Sequence, residues 1–214
     1  MADVTLETFL PYIMPSVPGC PEELVKSSIL DACIRFCMDS WIIREDIEAG
    51  DITAGVDDYL ILPSQYREMI SLVSFLYDGL ELGKKTEEEL DIIDSGWRTA
   101  DPGVATYITM TEPDRVKLNR IPAITTVGGL IPRIATKPTA DAPMVDDRLF
   151  RHWKKAIKYG ALENLMEIPG KKWSDMNMAK WYGERFNFQI QRAKARATMS
   201  YFKKSTTAVM RAWV

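Results

Sequence analysis

The stretch Glu167-Ile168-Pro169-Gly170-Lys171-Lys172-Trp173-Ser174-Asp175 separates two long helical patterns and fixes where they turn back on each other. Before it, Asp146 and Asp147 open a segment in which Leu149, Phe150, Trp153, Ile157, Ala161, Leu162 and Leu165 recur at the spacing of one helix face. Pro169 cannot continue a helical ladder and Gly170 takes the turn, so the first helix stops there. Ser174 or Asp175 then caps a second helix carrying Met178, Ala179, Tyr182, Phe186, Ile190, Ala193 and Ala197. Two amphipathic helices joined this tightly are expected to pack antiparallel.

With 214 residues, 46% of them hydrophobic, the chain can bury a core as one domain or as one domain carrying a sizeable insertion. No apolar run approaches the roughly 20 residues that cross a bilayer, and Met1-Ala2-Asp3 lacks the basic start of a secretory signal. The expectation is a cytoplasmic protein, or a particle assembled in a cytoplasm, with no membrane partner. Cys20, Cys33 and Cys37 are odd in number and His152 lies far from them, so packed, reduced thiols are expected and no metal site. Charge divides unevenly. Residues 1–145 carry 12 Lys and Arg against 24 Asp and Glu, and residues 146–214 carry 15 against 6. The basic part either faces something negative or presents an ordinary solvated surface.

In chain order, residues 1–20 read as a packed arm or one helical turn. Pro21 with Glu22 and Glu23 starts a helix expected to run to about Asp46, its apolar stripe wide enough to touch neighbours on two sides. Val56 to Pro63 and Met69 to Tyr77 read as strands, with Asp78-Gly79 as a hairpin turn into Leu80-Glu81-Leu82. Thr86 and Glu89 form a capping box for a short helix, and Trp97 is expected to lodge against the sheet. Thr106 to Thr111, Arg115 to Asn119 and Leu130 to Thr136 make a second strand group, punctuated by Gly128-Gly129 and Pro132. The expected architecture is α+β: a helical bundle of one N-terminal helix plus a C-terminal helical hairpin, with an inserted small antiparallel β domain. The bundle takes residues 1–50 and 138–214, and the insertion takes 51–137.

A search for chemistry finds little. Gly128-Gly129 lacks the lysine and helix of a phosphate loop, and any triad would have to recruit His152, which sits among Arg148, Arg151, Lys154 and Lys155. Asp57-Asp58, Glu87-Glu88-Glu89 and Asp146-Asp147 read as well as helix starts and solvated turns as they do as ion sites. No enzymatic activity, catalytic residue or cofactor is expected. The stronger signal is basic: Arg185, Arg192, Lys194, Arg196, Lys203, Lys204 and Arg211, interleaved with Phe186, Phe188, Tyr201, Phe202 and Trp213. This pattern suits a groove for single-stranded nucleic acid, or a helix and tail that dock on another protein. The tail from Ser200 to Val214 either packs on its own bundle or inserts into a partner.

Taken in order, several pieces resemble the head-to-tail adaptor, or connector, proteins of tailed bacteriophages. They are Leu10-Pro11-Tyr12, Val17-Pro18-Gly19-Cys20-Pro21, Ala32-Cys33-Ile34-Arg35-Phe36-Cys37, Tyr77-Asp78-Gly79, Trp97-Arg98, Lys158-Tyr159-Gly160-Ala161-Leu162, and the hinge with Ala179 and Phe186 beyond it. The resemblance implies a structural virion protein at the neck, assembled in the host cytoplasm, that forms a ring, commonly of twelve copies, on the portal protein. Such a ring connects head to tail or nozzle protein and continues the channel through which double-stranded DNA leaves. It also implies that Arg192, Lys194, Arg196, Tyr201, Phe202, Lys203, Lys204, Arg211 and Trp213 supply the portal or DNA contact. The alternative is a nucleic-acid-binding protein that uses the basic C-terminal helix.

Overall fold

Residues 2–99 and 102–199 are described by a computed structural model. The chain begins with β1 (Asp3–Thr5), a 3₁₀ turn and α1 (Leu10–Ile13), then α2 (Glu22–Ser40), β2 (Arg44–Asp46), β3 (Gly50–Ile52), β4 (Asp58–Leu60) and β5 (Arg67–Tyr77). It continues through β6 (Leu80–Glu81), β7 (Gly83–Lys84), α3 (Glu87–Ile93), β8 (Tyr107–Glu112), β9 (Arg115–Leu118) and β10 (Thr126–Pro138). Last come β11 (Met144–Asp146), α4 (Asp147–Met166) and α5 (Met176–Met199).

A helical bundle with one small inserted antiparallel β domain is not what the chain forms. The described strands build three sheets: β1 on β11; β2-β10-β5-β6 with β3 also on β10; and β4-β9-β8-β7. β7 and β8 run parallel. Strands occur outside 51–137: β1 and β11 pair with each other within the stretches read as helical, and β2, also there, pairs with β10. Two local causes account for the difference. α2 ends at Ser40, because Trp41 takes a left-handed conformation (φ 51°), and Arg44–Asp46 pairs with β10 instead of extending the helix to Asp46. Gly128-Gly129, expected to punctuate the strand group, instead lies inside β10, where β3 approaches so closely that a Cβ on Gly129 would sit 2.5 Å from Ile52 Cδ1.

Between Tyr77 and Leu80, Asp78 and Gly79 both have positive φ, the turn that matches the twist of paired strands. The chain then passes from one sheet to the next: Leu82 N–H donates to Phe75 O and Gly83 N–H to Thr106 O, so the two larger sheets meet along this segment as a half-barrel. Its core holds Ile52, Leu72, Phe75, Ile108, Val116, Leu118 and Ile134. Trp97 is buried, with Lys117 of β9 5.5 Å from its ring and its indole N–H donated to Asp91.

A second core lies between α2, α4, α5 and the N-terminal arm. α4 is capped by Asp146, whose side chain accepts from Arg148 N, and α5 starts where Asp175 accepts from Asn177 N and Met178 N. Phe36 of α2 stacks on Phe186 of α5 (6.1 Å) and leans on Trp153 of α4 (5.3 Å). α2 buries residues around much of its circumference because it touches α4, α5 and β10 together.

The three helices meet at Gly160, where a Cβ would stand 2.9 Å from Ala32 Cβ and from the Phe186 ring. Gly160→Ala is therefore expected to destabilise the protein by about 1–3 kcal/mol through overpacking, despite alanine's better helix propensity. Urea unfolding should show a lower midpoint at unchanged slope.

Candidate anion-binding groove

The site begins from a buried cluster of charge. Register places Asp3 of β1 opposite Asp146 of β11, and Arg67 at the start of β5 reaches both, at 2.6 and 3.3 Å. Glu45 of β2 closes the cluster 3.7 Å from the same guanidinium, and its other oxygen accepts from Ser64 N and Ser64 Oγ. Arg67, Glu45 and Asp146 are nearly fully buried, which is tolerable only because they are paired. Burial by itself would raise the Asp146 carboxyl, but hydrogen bonds from Arg148 and the charges of Arg148 and Arg67 outweigh it and hold the group below the usual carboxylate range. Cys37 lies above the cluster. Burial, then the charge of Asp146, pushes its thiol up to about 12 against the opposing pull of Arg67 and Arg148. The void left here is about 10 Å³, room for one water at most, so the cluster is structural.

Arg148 carries this cluster to the surface. Its Nε and Nη2 hold Asp146 at 2.8 Å, and its Nη1 and Nη2 donate to Arg44 O at 3.5 and 3.4 Å. The other wall belongs to Arg133 of β10, paired across the sheet with Asp46 at 3.2 Å, and to Arg196 of α5, whose guanidinium lies 5.8 Å from the Trp153 ring. With His152 and Ile42 these residues line a cavity of about 160 Å³. A second cavity of about 410 Å³ opens beside it, lined by Met38, Asp39, Trp41, Arg44, Lys194 and Thr198. Arg44 stands between the two, its Nε donated to Trp41 O at 3.3 Å. Burial, and then the charge of Arg133, disfavours its protonated form, yet a guanidinium stays charged in proteins. Four arginines and a lysine thus converge where β2, β10, α4 and α5 meet, an arrangement that takes phosphate or carboxylate oxygens.

Of the residues singled out from the sequence, Lys194 and Arg196 reach this groove from opposite sides of Ala197. Arg192 does not. It is exposed elsewhere on α5 and donates to Gln189 at 3.4 Å. Phe186, read as part of a basic-aromatic face, is buried in the helical core. Tyr201, Phe202, Lys203, Lys204, Arg211 and Trp213 lie outside the described residues. Arg44, Arg133 and Trp41 were not singled out as groove residues, because only the pairing of β2 with β10 brings these distant segments together. Among the described residues no group of three or more His, Cys, Asp or Glu is placed to hold a metal ion, and no helix is long and apolar enough to cross a membrane.

Comparison with protein-family models finds no match, and no curated protein matches the sequence.

Two measurements check the buried cluster. Asp146→Asn keeps the helix cap, since Asn caps as well as Asp, and removes only the charge, so a loss of about 3 kcal/mol is expected at neutral pH. Because the native pKa of Asp146 is depressed, its contribution is complete above the ordinary carboxylate value of about 4 and disappears as pH falls through the lower native value. The gap between wild type and variant should close over that acidic window in pH-dependent melting. Separately, Cys20, Cys33 and Cys37 are all buried, so a thiol-alkylating reagent at mildly alkaline pH should leave the native chain unlabelled and modify all three once it unfolds.

Proposed function

We propose that the chain is a structural, non-enzymatic adaptor subunit of a tailed bacteriophage. In this reading, copies assemble as a ring on the portal protein, join the head to a tail or nozzle protein, and continue the path of the packaged double-stranded DNA. What supports the reading beyond the resemblance is a set of large apolar side chains left in solvent on both helix and strand. Met176, Trp181 and Phe188 of α5 are 64%, 41% and 58% exposed, and Leu60 and Leu62 beside β4 are 50% and 66% exposed. A subunit flanked by two copies and capped by two partners would cover such side chains. Residues 200–214 are assigned to the portal contact as part of this proposal.

Electron microscopy of the purified chain mixed with its portal tests the reading. A ring added to the portal is expected, and a variant ending at Met199 should stay soluble but fail to attach. A chain that stays monomeric with and without portal, or that cleaves plasmid DNA with magnesium, would end the proposal.

A second reading, binding of nucleic acid through the basic end of α5, is favoured by the convergence of Lys194 and Arg196 with Arg44 and Arg133. A steep fall of DNA affinity with salt, at useful affinity for the monomer, is its signature.

A further inference from the structure

Trp41 is an unusual residue for its position. Its backbone closes α2 in the left-handed region at φ 51°, where glycine is the ordinary occupant and a bulky side chain is strained. Its N–H donates to Cys37 O at 2.9 Å, so the conformation ends the helix and turns the chain toward β2. Glycine would do this without strain. Trp41 as a whole is 42% exposed and lines the wall of the 410 Å³ cavity. Strained residues retained at a cleft point to a ligand.

The surroundings of the indole define that ligand. Arg44 and Lys194 flank it, facing one carboxylate, Asp39, and neither cation has a carboxylate within 4 Å among the described residues. Arg44 is oriented through its Nε by Trp41 O, which leaves its two terminal nitrogens for an incoming anion. The two hydroxyls on this wall are already engaged: Ser40 Oγ donates to Phe36 O at 2.6 Å and Thr198 Oγ1 donates to Lys194 O at 3.0 Å. A flat aromatic face set between two cations recognises its ligand by stacking on the ring and by charge. Duplex DNA keeps its base faces stacked inside the helix, so only an unpaired base can lie on the indole.

We propose that this cavity is a binding site for single-stranded nucleic acid, with a base stacked on Trp41 and the adjoining phosphates held by Arg44 and Lys194. The assignment rests on the nucleic-acid reading and is independent of the adaptor one. It differs from the basic helix face expected from the sequence, because Arg192 and Phe186 have no part in it.

Fluorescence anisotropy with labelled oligothymidylate and the full-length chain tests the site. Two phosphate contacts predict a log–log salt slope of about −1.4, and Lys194→Ala should reduce it by about 0.7. Trp41→Gly is the decisive variant. Glycine relieves the backbone strain, so the melting temperature should hold or rise, while affinity for the oligonucleotide falls roughly tenfold with the loss of one stacked base. Equal affinity of Trp41→Gly and wild type overturns the site. If the chain also binds duplex DNA with a steep salt dependence in that case, the nucleic-acid reading survives without this cavity. Polyglutamate binding as tightly as oligothymidylate overturns both, and assigns the groove to an acidic protein surface.

Discussion

The salt-bridged guanidinium of Arg67 ties together the ends of strands that are far apart in the sequence. It sits at the first residue of β5, yet its carboxylates come from the first strand, from β2 and from the cap of α4. Half-barrel and helices each have their own apolar cluster. The ion cluster lies where they adjoin, and it specifies how the ends of β1, β2, β5 and β11 are arranged, since an unpaired charge at any of these positions would remain buried. Its value is in specifying one arrangement more than in net stability, because the attraction between such charges is offset by the cost of taking them out of water.

The groove follows from this arrangement. Asp146 caps α4 and binds Arg148 and Arg67, so the first turn of α4 is fixed against the end of β2. Arg148 then reaches Arg44 O, and the cationic side chains of β2 and α4 share one opening with Arg133 and Arg196. Arg148 is thus shared between the buried carboxylate of Asp146 and the groove. The uneven division of acidic and basic residues along the sequence is the coarse trace of that groove, though two of the groove's cations, Arg44 and Arg133, come from the acidic stretch.

The sequence made some elements legible and hid others for identifiable reasons. α4 and α5 are long and periodic, and Pro169-Gly170 marks their junction; α3 carries both halves of its capping box; Asp78-Gly79 announces the β5–β6 hairpin. The strands β1, β2, β3 and β11 have three residues each, too few for alternation to register, and exist because distant partners lie alongside them. Nothing in the composition around Trp41 marks the end of α2, since neither proline nor glycine stands there. Of the groove, Lys194 and Arg196 were visible as part of a basic run, whereas Arg44 and Arg133 required the register of β2 on β10.

β10 gives the molecule a mechanical axis. It is 13 residues long and pairs with β5 from Leu130 to Pro138, while β2 and β3 lie on its other edge. Its interstrand hydrogen bonds run across the strand direction, so tension applied along that direction loads the whole row at once instead of peeling it bond by bond. Pulled lengthwise, the half-barrel should yield late and abruptly; pulled sideways, it should unzip at low force from the two-residue β6 edge.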